Sequence, residues 1–389
     1  MLESNDVLGR QVVEVLPSKE GLLSLMSKRK IRLYHGIDPT SPNLHLGHAV
    51  VLRKLRQFQD LGHEVILLFG TFTARIGDPS GRDKARQPLS EKEVKENMRT
   101  YRKQAGLILD MKHLRIAENH TWTEKMSIQE VQRLASHITV AQLWERDMFQ
   151  ERKKRGQPVW VNEMWYPLLQ GYDSVALDVD LEIGGTDQTF NMLIGRELQR
   201  AYHNKEKYVL TTPLLLGPDG RKMSKSLGNT INLLDDAREM YGKVMTLRDE
   251  LMPQYFELCT DVPKEEVKAL QQQLPPRDLK AKLAQTITAL YHGEKAAAAA
   301  KEEFEKVFKE KELPTDILEV NISEKEIELT ELLVQLALAS SKGEARRLVE
   351  QGGVKIAGVV QNNWNKKIPV QKGMVVQVGP RRFVKVASS

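Results

Sequence analysis

Apolar and polar positions alternate along residues 30–235 with two different periods. Short runs dominated by bulky apolar residues predict strands, and these runs are RLYHGID, HEVILLFG, DSVALDVDLEIGG and YVLTTPLLL. The longer stretches between them repeat apolar residues every three to four positions, and the capping boxes Ser90 with Glu93 and Ser127 with Glu130 mark two helix starts. Strands alternating with helices predict an α/β domain with a parallel sheet covered on both faces.

The strand signal stops at about residue 236, and the rest of the chain divides into three parts. Residues 236–311 are helical by period and composition, residues 312–328 are polar and predict a linker, and residues 329–389 combine two short helices with short strands. We therefore expect an α/β domain over residues 1–235, an α-helical domain and a small α+β domain. This division agrees with a length of 389 residues, which is long for one domain.

Composition and charge narrow the possible functions. No apolar run approaches the roughly 18 residues that span a membrane, and the acidic N-terminal stretch argues against a targeting peptide. The single cysteine, Cys259, excludes an intramolecular disulfide, so a cytoplasmic location is expected. Residues 342–389 hold ten basic and two acidic residues, a balance of +8 that exceeds the +6 of the whole chain. A concentrated basic surface on a folded module indicates nucleic-acid binding.

Two histidines three residues apart, His45 and His48, open a predicted helix directly after a strand, with Gly47 between them and Asn43 as the expected N-cap. Backbone N–H groups at such a helix start favour an anion. A zinc site is a rival interpretation, but no Cys, His or carboxylate set stands nearby at ligand spacing. Two packed or solvated histidines are the ordinary alternative for the pair alone.

A second motif, DGRKMSKSLGN at residues 219–229, follows the last predicted strand. Its lysines Lys222 and Lys225 stand among small flexible residues at the expected carboxyl edge of the sheet, where open α/β sheets bind ligands. A mobile loop with paired lysines is suited to clamping a polyphosphate.

HLGH and KMSKS, about 170 residues apart, together resemble the signature pair of class I aminoacyl-tRNA synthetases. The resemblance implies a Rossmann-type catalytic domain that activates an amino acid with ATP. In such a domain His45, Gly47, His48, Lys222 and Lys225 would surround the ATP phosphates, and the histidines and lysines would stabilise the transition state of adenylate formation.

Further segments resemble tyrosyl-tRNA synthetases over nearly the whole catalytic domain: LYHGIDPTSPNLHLGH, FTARIGDPSGRDKAR, YPLLQGYDS and EIGGTDQ. The most discriminating piece is YxxxQxxD, because spacings of four and three project its three polar residues from one helical face. The resemblance implies a tyrosine site formed by Tyr34 and Asp173 at the phenol, by Tyr166, Gln170 and Asp78 at the ammonium, and by Gln188 near the carboxylate. It also implies an ATP site lined by Gly36, Asp38, Thr40, Gly185 and Asp187, with Asp187 on the ribose.

Two places depart from the family pattern. His35 stands where the family often has a small residue beside the ribose. Arg82, Lys84 and Arg86 are expected to face the leaving pyrophosphate, although their register against the family is loose.

The C-terminal part resembles an S4-type RNA-binding domain with Arg346 and Arg347 on one of its helices, and the helical part would be the anticodon-binding domain. Residues 110–165 resemble the family's dimer interface. The implied partners are tRNA(Tyr), L-tyrosine, ATP with its Mg²⁺ and a second copy of the chain, and no protein-bound metal is implied.

Three alternatives stay open at this point. A tryptophanyl-tRNA synthetase shares the fold and signatures, but Tyr34 with Asp173 suits a phenol better than an indole, and its usual chain lacks an S4 tail. A nucleotidyltransferase that does not act on tRNA would leave the basic tail without a purpose. An RNA-binding regulatory protein on an inactive synthetase scaffold would not need both signatures and the pocket.

Overall fold

The structure, a computed structural model, describes residues 4–80, 88–309, 317–379 and 382–387. The chain divides into two compact units, one made of residues 1–235 with 243–291 and the other of residues 236–242 with 292–389. The three-part division expected from the sequence stays a prediction, and the boundaries of the two units differ from those expected for the three domains. None of the helices in the described ranges is long and apolar enough to cross a membrane.

The first unit contains a six-stranded sheet and most of the helices. Its strands are β1 (Glu14–Leu16), β2 (Arg32–Ile37), β3 (Glu64–Phe69), β4 (Leu114–Glu118), β5 (Leu181–Gly185) and β6 (Tyr208–Thr212). Its helices up to β6 are α1 (Ser4–Val7), α2 (Lys19–Lys28), α3 (Leu46–Asp60), α4 (Thr73–Ile76), α5 (Glu91–Met98), α6 (Tyr101–Ala105), α7 (His120–Thr123), α8 (Ile128–Ala135), α9 (Val140–Trp144), α10 (Asp147–Lys154), α11 (Val161–Leu177) and α12 (Thr189–His203). Helix α13 (Ala237–Met245) follows in the sequence, but its residues 237–242 belong to the second unit. The later helices of the first unit are α14 (Met252–Cys259), α15 (Lys264–Gln273) and α16 (Pro276–His292).

The strand order β1-β6-β5-β2-β3-β4 confirms the predicted α/β fold with a parallel sheet, because only β1 pairs antiparallel. Strand β3 is buried from Val65 to Phe69, as expected for a strand covered on both faces. The order reverses between β2, from which the chain moves to β3, and β5, from which it moves to β6. In open α/β sheets the crevice beyond the carboxyl ends of such strands binds ligands.

Two local predictions differ from the structure. Asn43 is not the N-cap of α3; the cap is His45, whose ring accepts a hydrogen bond from the backbone of Gly47. The run DSVALDVDLEIGG is not one strand, because its first five residues end α11 and Asp178 terminates that helix in the left-handed conformation. A continuous apolar run does not distinguish a buried helix end from a buried strand, so the pattern alone could not locate this boundary.

The second unit contains the C-terminal module. Its helices are α17 (Glu294–Lys309), α18 (Leu329–Gln335) and α19 (Lys342–Glu350), and its strands are β7 (Leu318–Val320), β8 (Glu326–Glu328), β9 (Val354–Ile356), β10 (Val359–Val360), β11 (Lys367–Pro369), β12 (Val375–Val378) and β13 (Arg382–Val386). Five of these strands form a sheet in the order β10-β9-β12-β13-β7, and β11 pairs with β8. Buried residues such as Leu332, Leu333, Val349 and Val376 form one core with both short helices.

The segment expected to be a linker differs in part from that expectation. Residues 312–316 lie outside the described residues, but 318–320 and 326–328 are strands β7 and β8 of the C-terminal module. Their polar composition reflects exposure at short edge strands, since only Ile327 among these six residues is buried.

Candidate active site

A cavity of about 300 Å³ lies at the carboxyl ends of β2 and β5, where the strand order reverses. Most of the predicted site residues line it: Tyr34, His35, Gly36, Asp38, Thr40, His45, Gly47, His48, Asp78, Tyr166, Gln170, Asp173, Gly185, Asp187, Gln188 and Lys222. Lys225 is not among the lining residues, and Arg346 and Arg347 belong to the other unit. Arg82, Lys84 and Arg86 lie outside the described residues.

The histidine pair at the start of α3 caps its own helix. The Gly47 N–H donates to His45 Nδ1 at 3.2 Å, and the His45 N–H donates to His48 Nδ1 at 3.1 Å. Because a backbone N–H can only donate, both Nδ1 atoms accept, and the hydrogen of each neutral ring is on Nε2. Burial lowers the pKa of His45 to about 4 and, together with the neighbouring His45 and His35, the pKa of His48 as well. The pair therefore offers two neutral N–H donors and no charge.

The lysine loop approaches the same cavity from the end of the sheet. Lys222 Nζ lies 2.8 Å from Asp187 Oδ2, and Leu216 pairs with Lys222 in an isolated β-bridge. Lys225 begins a short 3₁₀ turn, Lys225–Leu227, and is exposed. Lys222 thus lines the cavity and pairs with a carboxylate, whereas Lys225 does not line it.

One end of the cavity is apolar and ends in a buried carboxylate, Asp173. Trp122 Nε1 donates to its Oδ1 at 2.9 Å, and Asn119 Nδ2 donates to its Oδ2 at 3.2 Å. Burial raises the pKa of Asp173, while the Trp122 and Asn119 donors oppose that shift by stabilising the carboxylate. Tyr34 is fully buried beside it, and burial raises the pKa of its hydroxyl. A carboxylate and a hydroxyl at the end of an apolar slot can recognise a phenol.

The next part of the cavity is rich in oriented hydrogen-bond acceptors. Gln188 Nε2 donates to Asp78 Oδ2 at 2.6 Å, and Tyr166 Oη donates to Asp38 Oδ2 at 2.9 Å. Asn191 Nδ2 donates to Gln170 Oε1 at 3.0 Å, which fixes the amide of Gln170 with its oxygen toward Asn191. Oxygens of Asp78, Tyr166 and Gln170 suit a bound ammonium group.

Two further features shape the cavity at the carboxyl end of β2. His35 Nδ1 donates to the Ile183 carbonyl at 2.8 Å, and burial lowers the pKa of this ring, so His35 is neutral with its other nitrogen as an acceptor. At Gly70, a Cβ atom would approach Asp38 Oδ1 to 2.0 Å, so only glycine leaves room for that carboxylate at the end of β2.

Comparison with known proteins finds relatives of one family over nearly the whole chain. Residues 26–309 match the family model of class I tRNA synthetases (W and Y), and residues 303–377 match the C-terminal domain model of tyrosine–tRNA ligases. The tyrosine–tRNA ligase of Moorella thermoacetica is 46% identical over 98% of this chain and 94% of its own length. The chain belongs to the tyrosyl-tRNA synthetase family.

Further tyrosyl-tRNA synthetases agree with this assignment. The enzyme of Thermotoga maritima is also 46% identical, over 99% of this chain and 97% of its own. The solved structure of a C-terminally truncated mitochondrial tyrosyl-tRNA synthetase from Aspergillus nidulans matches with a TM-score of 0.66 and 23% identity, over 78% of this chain and 93% of that one, which supports the fold. The resemblance drawn from the sequence motifs is thereby confirmed, as is the ATP-dependent ligase class.

Several residues that line the cavity or bond to its lining residues were not predicted from the sequence. Asn119 and Trp122 follow β4, a strand that is missing from the predicted strands, and a polar cluster after a strand is the signal that could have located them. Asn191 stands three residues after Gln188, on the same face of the helical turn. Ser174, Glu182 and Lys207 form a buried network behind Tyr34, for which no sequence pattern gives a signal.

Proposed function

We propose that this chain activates L-tyrosine with ATP to tyrosyl-adenylate and pyrophosphate, and then transfers tyrosine to the 3′-terminal adenosine of tRNA(Tyr). The observation that carries the proposal is the single cavity in which a phenol-binding end, Asp173 with Tyr34, faces the histidine pair and Lys222. The tyrosine carboxylate attacks the α-phosphorus of ATP in line, and neither step needs a covalent enzyme intermediate.

Each part of the cavity has a defined task in the proposed reaction. The substrate phenol lies between Asp173 and Tyr34, its ammonium contacts Asp78, Tyr166 and Gln170, and Gln188 lies near its carboxylate. The adenosine ribose contacts Asp187, and the rest of the ATP lies against Gly36, Asp38, Thr40, Gly47 and Gly185.

Catalysis in this proposal rests on positioned donors and cations. The Nε2–H groups of His45 and His48 donate to phosphate oxygens as these become most negative in the transition state. Lys222 and Lys225 neutralise the departing pyrophosphate, and Mg²⁺ enters with ATP because it commonly keeps substrate phosphates and water as ligands. The part of the chain that the structure describes contains no group of three or more His, Cys, Asp or Glu residues that could hold a metal.

Transfer and assembly involve the rest of the molecule. The match of residues 303–377 to the C-terminal domain model supports tRNA binding by this module, and we assign phosphate contacts to Arg346 and Arg347 on α19. The Arg346 guanidinium stacks 4.5 Å above the Trp364 ring and bonds Glu350, so it is held in one orientation. The helical residues 236–311 are proposed to contact the anticodon, and a cytoplasmic location stays a prediction of the sequence.

We further propose a homodimer formed through residues 110–165. Large apolar side chains are exposed in this segment, among them Ile128 at 81% and Val140 at 72%. Light scattering after gel filtration should give twice the mass of one chain, and Val140→Asp should lower it toward the monomer. Val359→Asp, which alters a valine of the C-terminal module that is 64% exposed, should leave the mass unchanged. A monomeric wild-type chain would contradict the proposal.

The test of the activity is ATP–pyrophosphate exchange with each of the twenty amino acids in turn. We expect exchange with tyrosine alone. Exchange with tryptophan instead would favour the tryptophanyl alternative, and no exchange with any amino acid would favour a regulatory protein on a synthetase scaffold.

A further inference from the structure

A fully buried polar network adjoins the proposed substrate contacts and includes one of them, Tyr34. It joins Lys207, just before β6, to Ser174 on α11, Glu182 on β5 and Tyr34 on β2, and all four residues are at most 2% exposed. Burying charged side chains is costly unless they are paired and hydrogen-bonded, so a network of this kind requires an explanation.

Room for the network is provided by one glycine. A Cβ atom at Gly195 of α12 would lie 2.5 Å from Lys207 Nζ and 2.6 Å from Ser174 Oγ, so any other residue would push the lysine out of contact. The local sequence thus accommodates the lysine at the expense of helix propensity.

The hydrogen bonds of the network have a direction that follows from its donors. Lys207 Nζ is 2.8 Å from Ser174 Oγ and 3.1 Å from the Met192 carbonyl, and it also contacts Glu182 Oε2. An ammonium group can only donate, so Ser174 Oγ accepts from Lys207 and must donate its own hydrogen elsewhere.

Two acceptors compete for the Ser174 hydrogen. Tyr34 Oη is 3.0 Å away, whereas Glu182 Oε2 is 3.4 Å away and already accepts from Lys207. The shorter contact to Tyr34 is favoured, so Tyr34 Oη accepts from Ser174 and keeps its own hydrogen. That hydrogen contacts the Gln170 carbonyl only at a long 3.4 Å, so a phenolic oxygen bound closer in the cavity would replace the carbonyl as its acceptor.

We propose that Lys207 and Ser174 are positioning residues that orient the Tyr34 hydroxyl to donate its hydrogen to the phenolic oxygen of tyrosine. The inference rests on the proposed function, because it deepens the recognition of that substrate. The substrate's own hydrogen goes to Asp173, so the bonds run in one direction from Lys207 through Ser174 and Tyr34 to the phenol and on to Asp173. Phenylalanine, which lacks the oxygen, leaves this donor unsatisfied.

The test compares kcat/KM for tyrosine and phenylalanine in pyrophosphate exchange. In Ser174→Ala the Lys207–Glu182 pair is kept, and we expect about a tenfold lower tyrosine value, mainly through KM for tyrosine. The phenylalanine value and the KM for ATP should not change. Tyr34→Phe should cost less in the Ser174→Ala background than in the wild type, because the two residues act as one chain.

Lys207→Met and a matched control complete the design. Lys207→Met should reduce the discrimination between tyrosine and phenylalanine as much as Ser174→Ala does. The double variant should show no further reduction. Thr260→Val removes another fully buried hydroxyl, at the end of α14, and should leave discrimination at the wild-type value. If Lys207→Met does not fold, the Ser174→Ala comparison still decides.

The outcomes separate this inference from the proposed function. A wild-type chain without tyrosine-dependent exchange overturns the proposed function. The positioning role alone is overturned if the wild type shows that exchange but Ser174→Ala discriminates tyrosine from phenylalanine as well as the wild type does. It is also overturned if Ser174→Ala lowers kcat/KM for both amino acids equally.

Discussion

Replacing Trp122 by phenylalanine removes one hydrogen-bond donor from Asp173, the carboxylate proposed to bind the phenol, and keeps an aromatic ring at this position. Trp122 Nε1 lies 2.9 Å from Asp173 Oδ1, and after the change only the longer bond from Asn119, 3.2 Å, remains. Trp122 also packs against the cluster around Tyr34, so an aromatic ring is retained there to avoid a cavity.

The size of the effect follows from the charge on Asp173. A hydrogen bond to a charged group contributes about 1.5–3 kcal/mol, and every 1.4 kcal/mol is a factor of about ten. The kcat/KM for tyrosine should therefore fall between roughly tenfold and a hundredfold. The value for phenylalanine should change little, because that substrate makes no bond to Asp173.

The pH dependence gives a second, independent readout. Trp122 opposes the burial that raises the pKa of Asp173, so the variant should raise this pKa further. The carboxylate form accepts the phenolic hydrogen, and a higher pKa leaves less of it at a given pH. The low-pH limb of kcat/KM for tyrosine should move to higher pH, and the defect should diminish as the pH rises.

The assay is pyrophosphate exchange with tyrosine and with phenylalanine, each measured as a function of pH. Trp144→Phe is the control, since it makes the same change in a tryptophan that packs on Phe149, whereas Trp122 donates to Asp173. Equal losses for tyrosine and phenylalanine, or a defect that does not diminish with rising pH, would refute the assignment of Trp122 to the phenol site.

Three further predictions concern other parts of the chain. Lys222→Ala and Lys225→Ala should each strongly reduce adenylate formation in single-turnover assays and leave tyrosine affinity near the wild-type value, with Lys92→Ala as an exposed control; a loss mainly in tyrosine affinity would contradict the phosphate role. A chain ending at residue 309 should keep tyrosine-dependent exchange and lose most tRNA charging through weaker, salt-sensitive binding; charging at normal affinity would exclude the C-terminal module from tRNA binding. Burial beside Lys30 lowers the pKa of His63 to about 4, so below about pH 6.5 the unfolded chain takes up a proton that the folded chain does not. The free energy of unfolding should therefore fall by on the order of 2 kcal/mol from pH 7 to pH 5 relative to His63→Asn, measured by urea denaturation, and parallel curves for the two proteins would disprove it.

The parts of the site that the sequence predicted share a regular spacing or a motif. Tyr166, Gln170 and Asp173 follow a helical period, so the polar face of α11 could be inferred from spacing alone. The parallel sheet was predictable because its strands, such as the fully apolar core of β3, alternate with amphipathic helices.

The parts that were not predicted depend on contacts across the fold. Trp122 reaches Asp173 from 51 positions away, and Lys207 reaches Glu182 from 25. A buried lysine also contradicts the usual rule that charges stay outside, so no local pattern marks it. The cap of α3 was assigned to Asn43 because histidine is an unusual cap, and its ability to accept from Gly47 depends on a ring orientation that the sequence does not specify.

The ion pair between Lys222 and Asp187 affects when Lys222 becomes available to bind phosphate. The same carboxylate is proposed to receive the ribose hydroxyls, and a hydroxyl that binds at Asp187 Oδ2 would displace Lys222 from that oxygen. Adenosine alone should therefore break the ion pair between Lys222 and Asp187. Pyrophosphate alone brings no ribose that could bind Asp187. Without nucleotide the Lys222–Asp187 pair has no net charge, so we expect the full charge of Lys222 to become available for phosphate only after a nucleotide has bound at Asp187.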